Sequence, residues 1–112
     1  PKGLPVGEAV ATKAYNLPIK IIIHTVGPRY KRDDINLLKN CYLHALKIAE
    51  EHKCKKIAFP AISTGVYGVP VEISAKIVKE VLEKYSSKVV QEVVLVLHTH
   101  EDFEVYTRYF NR

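Results

Sequence analysis

Phe59-Pro60-Ala61-Ile62-Ser63-Thr64-Gly65-Val66-Tyr67-Gly68-Val69-Pro70 joins an apolar run to a helical pattern through a short loop holding two glycines. A loop at such a junction delivers backbone N–H groups and the positive end of a helix dipole to one spot, a seat for phosphate oxygens. Gly65 and Gly68 can take backbone angles closed to other residues and, lacking side chains, let a ligand approach the main chain. Tyr67 adds a flat apolar face with a polar tip. The loop is not a Walker A element, since no Gly-Lys-Ser/Thr follows, and it is not the Gly-x-Gly-x-x-Gly dinucleotide turn. On spacing alone, a tight strand-to-helix turn with no ligand reads equally well.

Outward from this loop the pattern alternates strand and helix. Residues 9–12 are an expected short strand, closed by a turn around Asn16-Leu17-Pro18. Ile21, Ile22, Ile23 and Val26 form a near-continuous apolar run, as a strand buried on both faces requires, and Gly27-Pro28 stops it. Asp33 or Asp34 can cap the next helix, in which Leu38, Cys41, Tyr42, Ala45, Leu46 and Ala49 recur on one face. A second buried strand is expected over 56–62, loosening at Pro60, which has no N–H for the ladder. Pro70 suits a helix start, and Ile73, Ile77, Val78, Val81, Leu82 and Tyr85 form that helix's inward stripe. A third strand over 92–99 precedes a terminal helix over about 101–110, with Phe103, Tyr106 and Phe110 expected to face inward.

This alternation argues for an α/β layered fold with mostly parallel central strands. Ligands bind such sheets at the carboxyl ends of strands. The 63–68 loop lies at one such end and His98-Thr99 at another, so adjacent strands would bring them to one cleft.

A chain of 112 residues supports one domain, residues 1–112, and 47% hydrophobic content is normal for a folded globule. No apolar run in it approaches the ~20 residues that span a bilayer, and it carries no n-region/h-region pattern, so no membrane partner is expected. The formal charge of +5 favours anionic partners without choosing between a nucleotide-like ligand and nucleic acid. Lys53, Lys55 and Lys56 read as a solvated helix-to-strand connection. Cys41 and Cys54 have no framework spacing and read as free thiols in a reducing, intracellular compartment, cytoplasmic or nuclear.

Ser63 and Thr64 could be read as nucleophiles. No Gly-x-Ser-x-Gly elbow exists, and no acid–His pair is placed to activate either hydroxyl. They read instead as hydrogen-bond donors to phosphate and as loop stabilisers. His98 and His100 alternate like a metal pair, but no third ligand is spaced to complete a site, so no metal is expected. His24 reads as a hydrogen-bonded structural histidine, and His44 and His52 as exposed helix positions. Nothing assigns Tyr15 or Tyr30.

Three segments together resemble the macrodomain family of ADP-ribose-binding modules. They are Gly7-Glu8-Ala9-Val10-Ala11-Thr12 running through Leu17-Pro18-Ile19-Lys20 into Ile23-His24-Thr25-Val26-Gly27-Pro28, then the helix of Leu38 to Ala49, then residues 57–68. The resemblance spans most of the chain. It implies a three-layer α/β/α sandwich with a mixed, mostly parallel central sheet. The family's upstream strands, adenine-reading aspartate, asparagine turn and triple-glycine loop find no counterpart. The chain, which contains no Met, is therefore expected to be the C-terminal two-thirds of the usual domain.

The resemblance further implies that Ser63, Thr64, Gly65, Val66, Tyr67 and Gly68 clasp the diphosphate of ADP-ribose with main-chain amides, that Ala61 also borders the ligand, and that His98 packs near the adenosine end. Val66 and Tyr67 would cover the distal ribose. The ligand is then ADP-ribose, free or on protein, with no cofactor. Hydrolysis of ADP-ribosyl or O-acetyl-ADP-ribose bonds is the alternative within the family, with no catalytic residue assignable here. A basic nucleic-acid-binding domain ranks last, because aromatics interleaved with Lys or Arg are sparse. An uncovered sheet edge is expected to favour self-association.

Overall fold

The computed structural model describes residues 3–13, 21–65, 67–97 and 99–111. The elements run β1 (Ala9–Lys13), β2 (Ile21–Thr25), α1 (Asn36–Glu51), β3 (Lys56–Pro60), α2 (Val71–Lys84), β4 (Glu92–Val96) and α3 (His100–Phe110). The expected turn at Asn16-Leu17-Pro18 lies outside the described residues.

The sheet is mixed. β3 and β4 pair in parallel, with Ile57 opposite Val93 and Pro60 opposite Val96. β1 and β2 pair antiparallel, with Ala9 opposite Thr25 and Lys13 opposite Ile21. Residues 14–20 are too few for the crossover of roughly a dozen residues that a parallel pair needs, so antiparallel pairing follows from the connection alone. Among the described residues the two pairs are not hydrogen-bonded to each other. Among the described residues the second edges of β2 and β3 take no strand partner, and residues of both strands line one cleft.

α1 is the centre of the core. Leu38, Cys41, Leu46 and Ala49 are completely buried, and Tyr42 and Ala45 nearly so. Each buried leucine contributes about 1.5–3 kcal/mol of hydrophobic stabilisation. The N-cap of α1 is Ile35, with no side-chain cap hydrogen bond, so neither capping candidate holds that position; Asp34, one residue earlier, accepts the Asn36 N–H on its carboxylate (2.9 Å). Asp33 instead holds the Arg29 amide and guanidinium, at 2.8 and 3.1 Å. α2 buries Ile77, Val78 and Val81 as its stripe requires, together with Ser74 and Ala75. β3 ends at Pro60, where the ladder loses a donor, and β4 ends at Val96, so both strands are shorter than the sequence suggests.

α3 departs from its expected facing. Val105 and Tyr106 are buried, but Phe103 is 58% and Phe110 38% exposed. The two phenylalanines flank an open groove of about 220 Å³ with Leu95 and Leu97. Periodicity identifies a common apolar face correctly, but among the described residues no element lies beyond β4 to cover it. No helix among the described residues is long and apolar enough to cross a membrane.

Candidate ligand cleft

The cleft between β2 and β3 has a volume of about 520 Å³. Its sides are Ile23, His24 and Thr25 of β2 and residues 57–60 of β3, with Ala45 of α1 at its base. Gly27, Ala61, Ile62, Ser63 and Tyr67 close one end. Gly27, just past β2, meets Ile62 and Ser63, just past β3. The two strands therefore run the same way, and the loop sits at the carboxyl ends of both, where α/β sheets bind ligands.

Two successive residues of α1 hold those strand ends. The Cys41 thiol donates to the Val26 carbonyl at 3.3 Å, and burial pushes that thiol's pKa up. The Tyr42 hydroxyl accepts the Ile62 N–H at 3.1 Å and donates to the Pro60 carbonyl at 3.4 Å. Cys41 and Cys54 are both free thiols.

The loop itself is partly self-contained. Thr64 gives both its N–H (3.4 Å) and its hydroxyl (2.9 Å) to the Ala61 carbonyl, so its hydroxyl proton stabilises the loop. Gly68 N–H goes to the Gly65 carbonyl (3.0 Å) and Val69 N–H to the Ser63 carbonyl (2.9 Å). Among the described residues, the amides of Ser63, Gly65 and Tyr67 make no backbone hydrogen bond. Among the described residues, those amides are donors open to an anion.

Backbone freedom is used differently from expectation. Gly68 is left-handed (φ +76°), but the other left-handed position is Ser63 (φ +68°), not Gly65. A non-glycine residue in that region stores strain of order 1–3 kcal/mol and marks a site where the surroundings dictate the backbone. The Ser63 Oγ is buried with no hydrogen-bond partner among the described residues. Gly65 is exposed, and nothing described lies within 4 Å of where its Cβ would stand. Tyr67 is 41% exposed and lines the cleft. Val66 and His98 lie outside the described residues. Thr99, exposed, caps α3 by accepting the Asp102 N–H at 3.0 Å.

Residues that the sequence leaves unassigned also meet here. Tyr30 gives its N–H to the Tyr67 carbonyl (2.8 Å), tying the segment after β2 to the loop. Gly27 admits Ser63 by having no Cβ. The Gly27-Pro28 pair signals only a strand end, so neither contact has a local signal. His24 is hydrogen-bonded as expected, to Thr12 Oγ1 at 2.9 Å, yet it also faces the cleft. His44 is half-buried rather than exposed; its Nδ1 donates to the Gly7 carbonyl at 2.8 Å and fastens that segment to α1. His100 pairs with Glu104 (2.9 Å).

Comparison with known proteins accounts for this arrangement. A family model for the Macro domain matches residues 1–78. A macro domain-containing protein of Caldanaerobacter subterraneus is 46% identical over 110 residues, covering 95% of this chain and 63% of that protein. A protein-ADP-ribose hydrolase of Staphylococcus aureus is 40% identical over 114 residues, covering 96% of this chain and 43% of that protein. The Oceanobacillus iheyensis macrodomain solved with ADP matches at TM-score 0.90 and 36% identity, covering 96% of this chain and 59% of its own. A mutant of that macrodomain solved with ADPR matches at 0.88 over 96% of this chain and 60% of its own. This chain spans less than two thirds of the length of each of these relatives. The shared fold is the α/β/α sandwich, and the chain belongs to the Macro domain family.

Proposed function

We propose that this chain binds ADP-ribose, free or attached to protein, with the diphosphate held by residues 63–68. One observation carries the reading. The loop stands at the carboxyl ends of two strands, with a strained Ser63 whose buried hydroxyl has no partner among the described residues. A bound phosphate oxygen would satisfy that hydroxyl and the amides of Ser63, Gly65 and Tyr67. Hydrogen bonds to a charged acceptor contribute about 1.5–3 kcal/mol each, so a few of them dominate affinity. Ala61, Val66, Tyr67 and His98 are the proposed walls around the sugars and base. The free cysteines suit an intracellular setting.

Calorimetric titration with ADP-ribose, AMP and ribose 5-phosphate tests this directly. Heat from ADP-ribose well above that from ribose 5-phosphate is the expected result. Equal affinity for all three would remove the diphosphate from the mechanism.

The second reading is hydrolysis, favoured by the likeness to the Staphylococcus aureus protein-ADP-ribose hydrolase. The 61–68 loop would then orient substrate, with the catalytic groups supplied from elsewhere in the protein. Incubation with ADP-ribosylated protein separates the two: a reader retains the modification, a hydrolase releases ADP-ribose.

A further inference from the structure

Ile62 is the hinge between a strand and a strained turn. β3 stops at Pro60, so no strand partner takes the Ile62 amide; a side chain from α1 does instead. That side chain, Tyr42, is 2% exposed and sits edge-on to Phe59 at 4.9 Å. Its ring is fixed by packing, so its hydroxyl is a fixed point. Elsewhere in the core Ser74 of α2 hydrogen-bonds Tyr106 of α3. Burial holds the Tyr42 phenol well above the ordinary tyrosine range, so it remains a proton donor at neutral pH.

We infer that Tyr42 is a positioning residue for the ligand loop: its hydroxyl, bridging Pro60 C=O and Ile62 N–H, sets the turn on which Ser63 takes its left-handed conformation. The inference rests on the ADP-ribose reading for its functional consequence, though not for its geometry. The hydroxyl touches no ligand. It acts through Ile62, whose side chain and neighbour Ser63 are in turn braced by Gly27.

Tyr42→Phe, made in the protein at its full natural length, keeps the ring and removes the bridge. The ADP-ribose dissociation constant should rise about tenfold, the net loss expected for one hydrogen bond. Amide exchange at Ile62 should accelerate more than at its neighbours Ile57 and Phe59. Tyr106→Phe is the control: it removes the buried hydrogen bond to Ser74, lowers stability and leaves ADP-ribose affinity unchanged. Wild-type affinity in Tyr42→Phe would overturn the inference, as would an equal affinity loss in Tyr106→Phe, because affinity would then merely follow stability. If the wild-type protein does not bind ADP-ribose, the ligand reading fails. Exchange at Ile62 then decides alone, selective acceleration supporting the positioning role and unchanged exchange refuting it.

Discussion

Gly27 and Ser63 meet so closely that a Cβ on Gly27 would stand 2.1 Å from the Ser63 Oγ and 2.7 Å from Ile62 Cγ2. The end of one strand is thereby wedged against the strained turn at the end of another. Close approach, rather than backbone angle, is what demands glycine at position 27.

Gly27→Ala should therefore act like overpacking and cost about 1–3 kcal/mol, read from the urea midpoint. Ser63→Gly removes both the hydroxyl and the left-handed strain, so the double variant should recover much of the loss. A strictly additive double-mutant cycle would show that the two residues do not press on each other.

Gly65→Glu tests the diphosphate seat without disturbing the fold. No described atom lies within 4 Å of a Cβ at Gly65, and its φ is not left-handed, so the variant should melt like wild type. A carboxylate there repels the diphosphate, and ADP-ribose binding should fall below detection in calorimetry. Undiminished binding by the folded variant would move the seat elsewhere.

Alkaline stability follows from three tyrosines. Burial is the largest cause raising the pKa of Tyr42, Tyr106 and Tyr85, and the Glu50 carboxylate beside Tyr85 acts in the same direction. A raised pKa means the fold favours the neutral phenol. That stability is whole below the unfolded tyrosine value of about 10 and is lost as pH rises through the higher folded values. The buried Cys41 thiol has the same sign. The urea midpoint should hold up to about pH 8 and fall steeply above about pH 10, with late tyrosinate absorbance appearing as the protein unfolds. Ionisation of all seven tyrosines near their ordinary value, with the fold intact, would contradict the burial of Tyr42.

Self-association of residues 1–112 by themselves is expected from the edges of β2 and β3 that line the cleft, which among the described residues have no strand partner. Light scattering on that polypeptide should find dimers or larger species. A stable, monodisperse monomer would show that these edges are protected in some other way.

Much of the fold is legible in the sequence because periodicity records which side of an element avoids water. The stripe from Leu38 to Ala49 names the α1 core residue for residue, whereas the strand expected over 56–62 stops at Pro60, where the sequence suggests loosening alone. The same rule applied to α3 misplaces Phe103 and Phe110. Periodicity identifies an apolar side but not what stands opposite it. The loop's place at a strand end is equally legible, since an apolar run, glycines and a helix start follow in order along the chain.

Local hydrophobic and backbone preferences, readable along the chain, set the alternation of strands and helices, the core face of α1 and the location of the 63–68 loop. Only the tertiary structure decided that Ser63 takes the left-handed turn, that Gly27 makes room for it, and that Tyr42 and Tyr30 hold the loop in place. Those contacts join residues far apart in the chain. They depend on how whole elements dock, which no local pattern of side chains encodes.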